Sequence, residues 1–345
     1  MPFRWDLVGP DQVGTLLSGT TRPDLWFLPE LLDRTGKVLA RSGNGGLYFV
    51  GRSLDSMFDL LGGALTGMEH GPDVHRLPFS FARGNDSISA THLARAREVC
   101  AAAGLDPYSL VRRRRPVTFV DVVSEGETFG ELFALLADWL DERREPWNVA
   151  RRVLRFVGVT IRRGHGPDTW RWQQHAGWPA LLPASSVRNV SMAWPEWDYF
   201  GNYQRKLTRS YRVDRWLAEP DGPDHGEKTR QALAEAIAVS RAGRSSGGRR
   251  AIARGISGEP DLAQPWLRAI VRGLTGRGPP GGPGIAAGGV GHAPRSRLVR
   301  PCHGADRRKV GNRTPVAAPS ARQWPADPGT LRIPVMNVRR SGGPR

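Results

Sequence analysis

The chain has 345 residues, a formal charge of +17 and two cysteines. That length holds one large domain or two ordinary ones, and Cys100 and Cys302 are too few and too far apart for a disulfide framework or a cysteine zinc cluster. No stretch approaches the roughly 20 apolar residues of a membrane span, and MPFRWDLVGPDQ lacks a signal peptide's apolar core, so a cytoplasmic protein without a membrane partner is expected.

Residues 1–44 read as an amino-terminal helical segment, with short helices at DQVGTLL and LPELLDRTGKVLARS. A strand follows at 47–50. Gly51-Arg52-Ser53 then make a tight turn into a helix with Leu54, Met57, Phe58, Leu61 and Leu65 on one face. Residues 74–82 (VHRLPFSFA) look like a strand, and 91–103 like a helix ended by Gly104. Val117, Thr118, Phe119 and Val120, opened by Pro116, are apolar on both faces, as in an interior strand of a parallel sheet. Phe129, Leu132, Phe133, Leu136, Trp139 and Leu140 then form one helical stripe, stopped by Pro146. Residues 154–161 make a further strand and 186–192 a weaker one, and a helix at about 226–240 closes the series. Strands alternating with helices predict an open, mainly parallel α/β sheet with flanking helices and right-handed crossovers, forming one domain over 45–240.

The basic charge is not spread evenly. Residues 241–345 carry 20 Arg+Lys against 4 Asp+Glu, with 19 Gly and 13 Pro. Such a segment buries too little apolar surface to offset its chain entropy, so it reads as a disordered tail; only 261–274 has a helical pattern. The chain has 4 Lys against 46 Arg, so a shifted reading frame in a GC-rich gene would give similar text. A nucleic-acid partner would act only through this arm, and its charge runs have no interleaved aromatics.

The polar segment 121–128 sits at the carboxyl end of one strand and the amino end of the next helix. Ligands of open α/β sheets bind at such places, and unpaired N–H groups with the positive dipole end favour an anion. Gly126 would let the backbone approach that anion, and Thr128 with Glu131 fits a capping box. The turn after the first strand falls on the same carboxyl edge.

The two stretches VTFVDVVSEGETFGEL and FVGRSLDSMFDLL resemble the type I phosphoribosyltransferases, which join a nitrogenous base to 5-phosphoribosyl pyrophosphate. That family's signature is a hydrophobic strand, one or two acids, two hydrophobics, a short Thr/Gly turn and a helix, with an earlier strand-to-helix turn for pyrophosphate. The resemblance covers roughly 45–195. It implies a phosphorylated ribose ligand, with Asp121 taking the ribose hydroxyls directly or through Mg2+. It further implies reaction-centre positions at Ser124 and Glu125, a 5′-phosphate cup at Gly126, Glu127, Thr128 and Phe129, and a pyrophosphate turn at Gly51, Arg52 and Ser53. It is also compatible with a homo-oligomer. The chain departs from the family pattern in having Val120 before Asp121, Ser124 in place of an acidic base and Glu125 in place of a neutral threonine. A non-catalytic sensor of nucleotide or diphosphate is therefore the alternative reading.

Six of the 12 tryptophans fall within 170–216. In the family, an aromatic-rich hood stacks on the base, which makes Trp194, Trp197, Tyr199 and Phe200 stacking candidates over a hood at about 165–216; ordinary packing is the alternative. Arg112 to Arg115 read as a solvated run, with phosphate contact as their functional reading. Gly51-Arg52-Ser53 also resembles half of a hydrolase nucleophile elbow, with Asp121 and His165 or His175 completing a triad. Asp55 replaces the second glycine of that motif.

Overall fold

The computed structural model describes residues 3–7, 13–68, 71–81, 88–162, 171–219 and 222–276. Among the described residues, five strands form one sheet: β1 (Gly46–Val50), β2 (Val74–Leu77), β3 (Val117–Val122), β4 (Leu154–Ile161) and β5 (Val187–Met192). Every pairing is parallel and the order is β2-β1-β3-β4-β5. The α/β reading therefore holds. β3 is central because both of its faces are apolar: Val117 and Phe119 join one core layer and Val120 joins the other. Its one internal hydroxyl, on Thr118, donates to the Ser42 carbonyl at 2.7 Å.

Helices cover both faces. On one face lie α3 (Ala90–Ala102), α4 (Pro107–Arg112), α5 (Glu127–Glu142) and the short α6 (Trp147–Ala150) and α7 (Trp172–His175). Phe129, Phe133, Phe156, Trp172 and Trp178 fill that layer. The other layer joins residues of α1 (Leu28–Arg41), α2 (Asp55–Leu65), α9 (Glu227–Arg244), α10 (Ser246–Ser257) and α11 (Pro265–Thr275). Between the last strand and α9 stand α8 (Trp194–Asp198) and a π-helical turn, Tyr199–Tyr203.

Three expectations change here. Within DQVGTLL the residues from Gly14 onward form turns, because Gly14 and Gly19 both take positive φ and break any helix; residues 11 and 12 lie outside the described residues. The strand expected at 74–82 stops at Leu77, since Pro78 has no N–H to continue the ladder. The disordered tail expected from residue 241 does not begin there. Residues 241–275 complete α9 and build α10 and α11, with Ile252, Ile256, Leu267 and Ile270 buried.

The glycines that argued for disorder are contact points between helices. A Cβ on Gly243 would run into the Leu60 carbonyl and one on Gly63 into the Ser240 carbonyl, so α2 and α9 touch backbone to backbone. Gly36 and Gly255 do the same for α1 and α10. Arg41 adds a two-pronged ion pair to Glu259, at 2.8 and 3.0 Å. The rest of the expected tail, 277–345, lies outside the described residues.

Candidate functional site

Leaving β1, the chain first crosses to β2 on one side and returns to β3 on the other, so the strand order reverses between β1 and β3. In doubly wound sheets a crevice opens at that switch point, beyond the carboxyl ends of the two strands. The turn at 51–54 and the loop at 123–126 are its two walls. They share a cavity of about 420 Å³ lined by Ser53, Phe81, residues 122–129, Trp197, Gly201 and Asn202.

In the β3–α5 loop, Ser124, Glu125 and Glu127 are exposed, Thr128 is half-buried, and Gly126 and Phe129 are buried. Gly126 is the N-cap residue of α5, in the left-handed region at φ 83°, and no side chain caps the helix. Thr128 is thus the second residue of α5, and the capping box expected of Thr128 and Glu131 is not formed. The glycine has a second cause as well: a Cβ there would overlap the ring of Trp172. Trp172 is itself pinned, its Nε1–H donating to Asn189 Oδ1 at 2.9 Å.

Asp121 is buried at the end of β3, and its Oδ1 accepts the Val122 N–H at 2.7 Å. It is not among the residues lining the cavity. Burial pushes its carboxyl up to about 8, against the lowering effects of that hydrogen bond and of the Lys206 charge, so it is mostly protonated at neutral pH.

The β1 turn is wired differently. Gly51 sits at φ 68° and continues the sheet through its N–H to the Leu77 carbonyl, at 2.8 Å. Arg52, expected to meet a diphosphate, donates from Nη1 to the Thr208 carbonyl at 2.6 Å and does not line the cavity. A half-buried guanidinium near backbone carbonyls satisfies itself on them. Ser53 remains as the lining residue of this turn.

The four stacking candidates part company. Trp197 lines the cavity, held by its Nε1–H to the Val159 carbonyl at 2.9 Å. Trp194 is 59% exposed and outside the lining. Tyr199 stacks on Phe27 with ring centroids 5.2 Å apart, and its hydroxyl donates to Glu235 Oε2 at 2.7 Å. Phe200 is fully buried in the core layer on the α1 face. The rings are close in sequence, but α8 and the π turn carry them to different sides.

The arginines at 112–115 precede β3 and so stand at the amino edge of the sheet, roughly 20 Å of strand away from the loop that follows it. Arg112 lies over the Tyr108 ring and Arg113 donates to the Tyr48 hydroxyl at 3.0 Å, so a phosphate contact at this site is not theirs. His165 lies outside the described residues. His175 is exposed on α7 and does not line the cavity, so the described residues do not assemble the serine-hydrolase triad around Ser53.

Lys206 was not singled out in the sequence. Its Nζ donates to the Ser53 carbonyl at 3.0 Å, the Phe200 carbonyl at 2.9 Å and Gln204 Oε1 at 2.6 Å. Burial pulls it down to about 8, while the charges of Asp55, Glu235 and Asp59 act in the opposite sense. Behind it, Asp55 and Asp59 on α2 pair with Arg4, and Asp55 pairs with Arg76. Burial pushes Asp59 up to about 6 despite Arg4. A solitary lysine in YQRKLTRSYR has no periodic signature, and only the three acceptors around it reveal its place.

Chemically, the cleft combines an uncapped helix amino end, hydroxyls at Ser53, Ser124 and Thr128, and one fixed indole. That set suits an anionic ligand with a flat or apolar portion. No family model, no curated protein and no solved structure matches this chain.

Proposed function

We propose that this chain is a phosphoribosyltransferase-like protein that binds a ribose 5-phosphate or 5-phosphoribosyl pyrophosphate ligand in the crevice between β1 and β3. The observation that carries the reading is the shared cavity at the switch point, where the two turns singled out by their residues face each other. The 5′-phosphate meets the amino end of α5 at Gly126, Glu127, Thr128 and Phe129, where N–H groups and the Thr128 hydroxyl donate. The diphosphate lies toward Ser53, and a base stacks against Trp197. Asp121, the carboxyl that the resemblance assigns to the ribose hydroxyls, is buried outside the lining and is not placed to meet them.

Magnesium accompanies the ligand in this reading. The donors present are hard carboxyl oxygens, one buried at Asp121 and one exposed at Glu125. Among the described residues no group of three or more metal-binding side chains occurs. One or two carboxylates are enough for Mg2+ when ligand phosphates complete its shell. Asp121 is buried, mostly protonated and outside the cavity lining, so Glu125 is the carboxylate that would hold the ion, and the ion would neutralise diphosphate charge there.

A second reading, a sensor that binds without transferring, is favoured by Ser124. A hydroxyl at that position is a poor proton acceptor at neutral pH, and Asp121 is mostly protonated there.

Calorimetric titration of 5-phosphoribosyl pyrophosphate into the full chain, with and without magnesium, tests the proposal. Binding that Thr128→Val weakens about tenfold, the equivalent of one hydrogen bond to a charged group, supports it. Turnover in the presence of bases separates a transferase from a sensor. Absence of heat from a folded chain, with ribose 5-phosphate as well as with the diphosphate, overturns both readings.

A further inference from the structure

We propose that Lys206 is a positioning residue that sets the width of the cleft by tying the β1 turn to the π-helical turn through their main chains. The inference rests on the reading of this cleft as the ligand site. The turn after β1 is represented in the lining by Ser53, and the π-helical turn, a third side of the cleft, by Gly201 and Asn202. Lys206 Nζ reaches the Ser53 carbonyl in the first turn and the Phe200 carbonyl in the second. Its remaining donor goes to Gln204 Oε1. An ammonium has three N–H groups, and here three acceptors take them, so its position is fixed from three directions.

The surroundings fit a fixed tie. Gln204 Nε2 donates to the Ser56 hydroxyl and to Glu235 Oε1, which anchors the base of the clamp to both α2 and α9. Arg52 runs parallel to it, joining the β1 turn to the Thr208 carbonyl. A partly buried ammonium loses hydration, and that loss is tolerable only where charge and hydrogen bonds replace the water. The charges facing it are Asp55 and Asp59 on α2, Arg52 in the turn and Glu235 on α9, and its own charge acts on Asp121 at the end of β3. The bond to the Ser53 carbonyl leaves the hydroxyl of Ser53 available to the cavity. Lys206 therefore acts on a ligand through the wall it holds and need not touch it.

The test compares the wild-type full chain with Lys206→Met, which keeps the apolar stem and removes all three donors, and Lys206→Arg, which keeps charge and donors. Hydrogen exchange is read first, without ligand. The methionine variant is expected to exchange at least tenfold faster at residues 52–56 and 200–206 together, with α5 unchanged, and the arginine variant to recover part of that protection. If either segment keeps its wild-type rate in the methionine variant, the clamp is overturned. Should that variant not fold, Lys206→Gln, with two donors, reads the same exchange. Titration with 5-phosphoribosyl pyrophosphate is read second, and the methionine variant is expected to bind at least tenfold more weakly. Coupled exchange in a wild-type chain that binds no diphosphate upholds the clamp and overturns the ligand reading. Binding with uncoupled exchange does the reverse.

Discussion

In the turn after β1, Gly51 is left-handed, the Arg52 guanidinium goes to the Thr208 carbonyl, and the Ser53 carbonyl takes a proton donor from Lys206. In the loop after β3, Gly126 is also left-handed, but Ser124, Glu125 and Glu127 stand exposed and no side chain caps the helix that follows. Both loops leave the same edge of the same sheet. The first spends its polar groups on the neighbouring segment 204–211 and forms the braced wall of the cleft; the second is the open wall. Equivalent positions in a strand–turn–helix plan thus do different work, and the difference comes from what packs over each turn.

The largest effect concerns the backing of the braced wall. Ending the chain at residue 240 removes the last turn of α9, with Gly243, and all of α10 and α11, so α1 and α2 lose their cover. Such a chain is expected to lose cooperative unfolding, monitored by circular dichroism in urea. A chain ending at residue 276 keeps every described element and is expected to retain it.

The glycines sharpen the contrast between the turns. Gly126→Ala places a Cβ against the Trp172 ring at a positive φ, and is expected to destabilise by about 3 kcal/mol. For Gly51→Ala the nearest atom is the Phe79 carbonyl oxygen at 3.1 Å, a tight contact that a small shift relieves, and the loss should be about 1–2 kcal/mol, mainly from the backbone conformation. Equal losses in chemical denaturation would erase the distinction.

Asp121 predicts a pH dependence. Its carboxyl holds a proton up to about 8 when folded, whereas in the unfolded chain it ionises near about 4. The folded state therefore binds more protons between those values. The stability contributed by Asp121 is complete below pH ~4 and is lost as pH rises toward ~8, by up to several kcal/mol. Asp121→Asn keeps the shape and cannot ionise, so its stability should fall less than that of the wild type between pH 5 and 8.5. Because Asp59, pushed up to about 6, titrates in both chains, the difference between the two urea midpoints is the quantity to compare. A constant difference across that range would sink the assignment.

The smallest effects separate bracing from openness. Arg52→Ala should lower stability by about 1–2 kcal/mol, since it removes a charged donor from a buried carbonyl. Glu125→Gln, on an exposed side chain, should change stability by less than about 0.5 kcal/mol. Without magnesium it should also strengthen diphosphate binding in calorimetry, by removing a like charge from the cavity lining.

Much of the architecture was legible because it rests on local pattern. The run at 117–120 gave a central strand, the stripe from Phe129 to Leu140 gave α5, and two strand–turn–helix units implied two turns on one edge. The failures share a cause. The glycines at 243, 248 and 255 read as disorder because composition does not show that another helix's backbone lies against them. The spacing of Thr128 and Glu131 fitted a capping box, yet Gly126, packed against Trp172, took the cap position. Tyr199 and Trp197 are two residues apart, yet one faces the cleft and the other Glu235.

By itself, the sequence determined the sheet class, the position of the central strand and the identity of the two polar turns, since hydrophobic periodicity and turn chemistry act over a few residues. Only the tertiary structure decided that the strands order as β2-β1-β3-β4-β5, that residues 241–275 close one face, and that Lys206 joins the β1 turn to the π-helical turn. Those outcomes depend on contacts between residues far apart in the chain, such as Lys206 with Ser53 and Gly243 with Leu60, which local patterns do not encode.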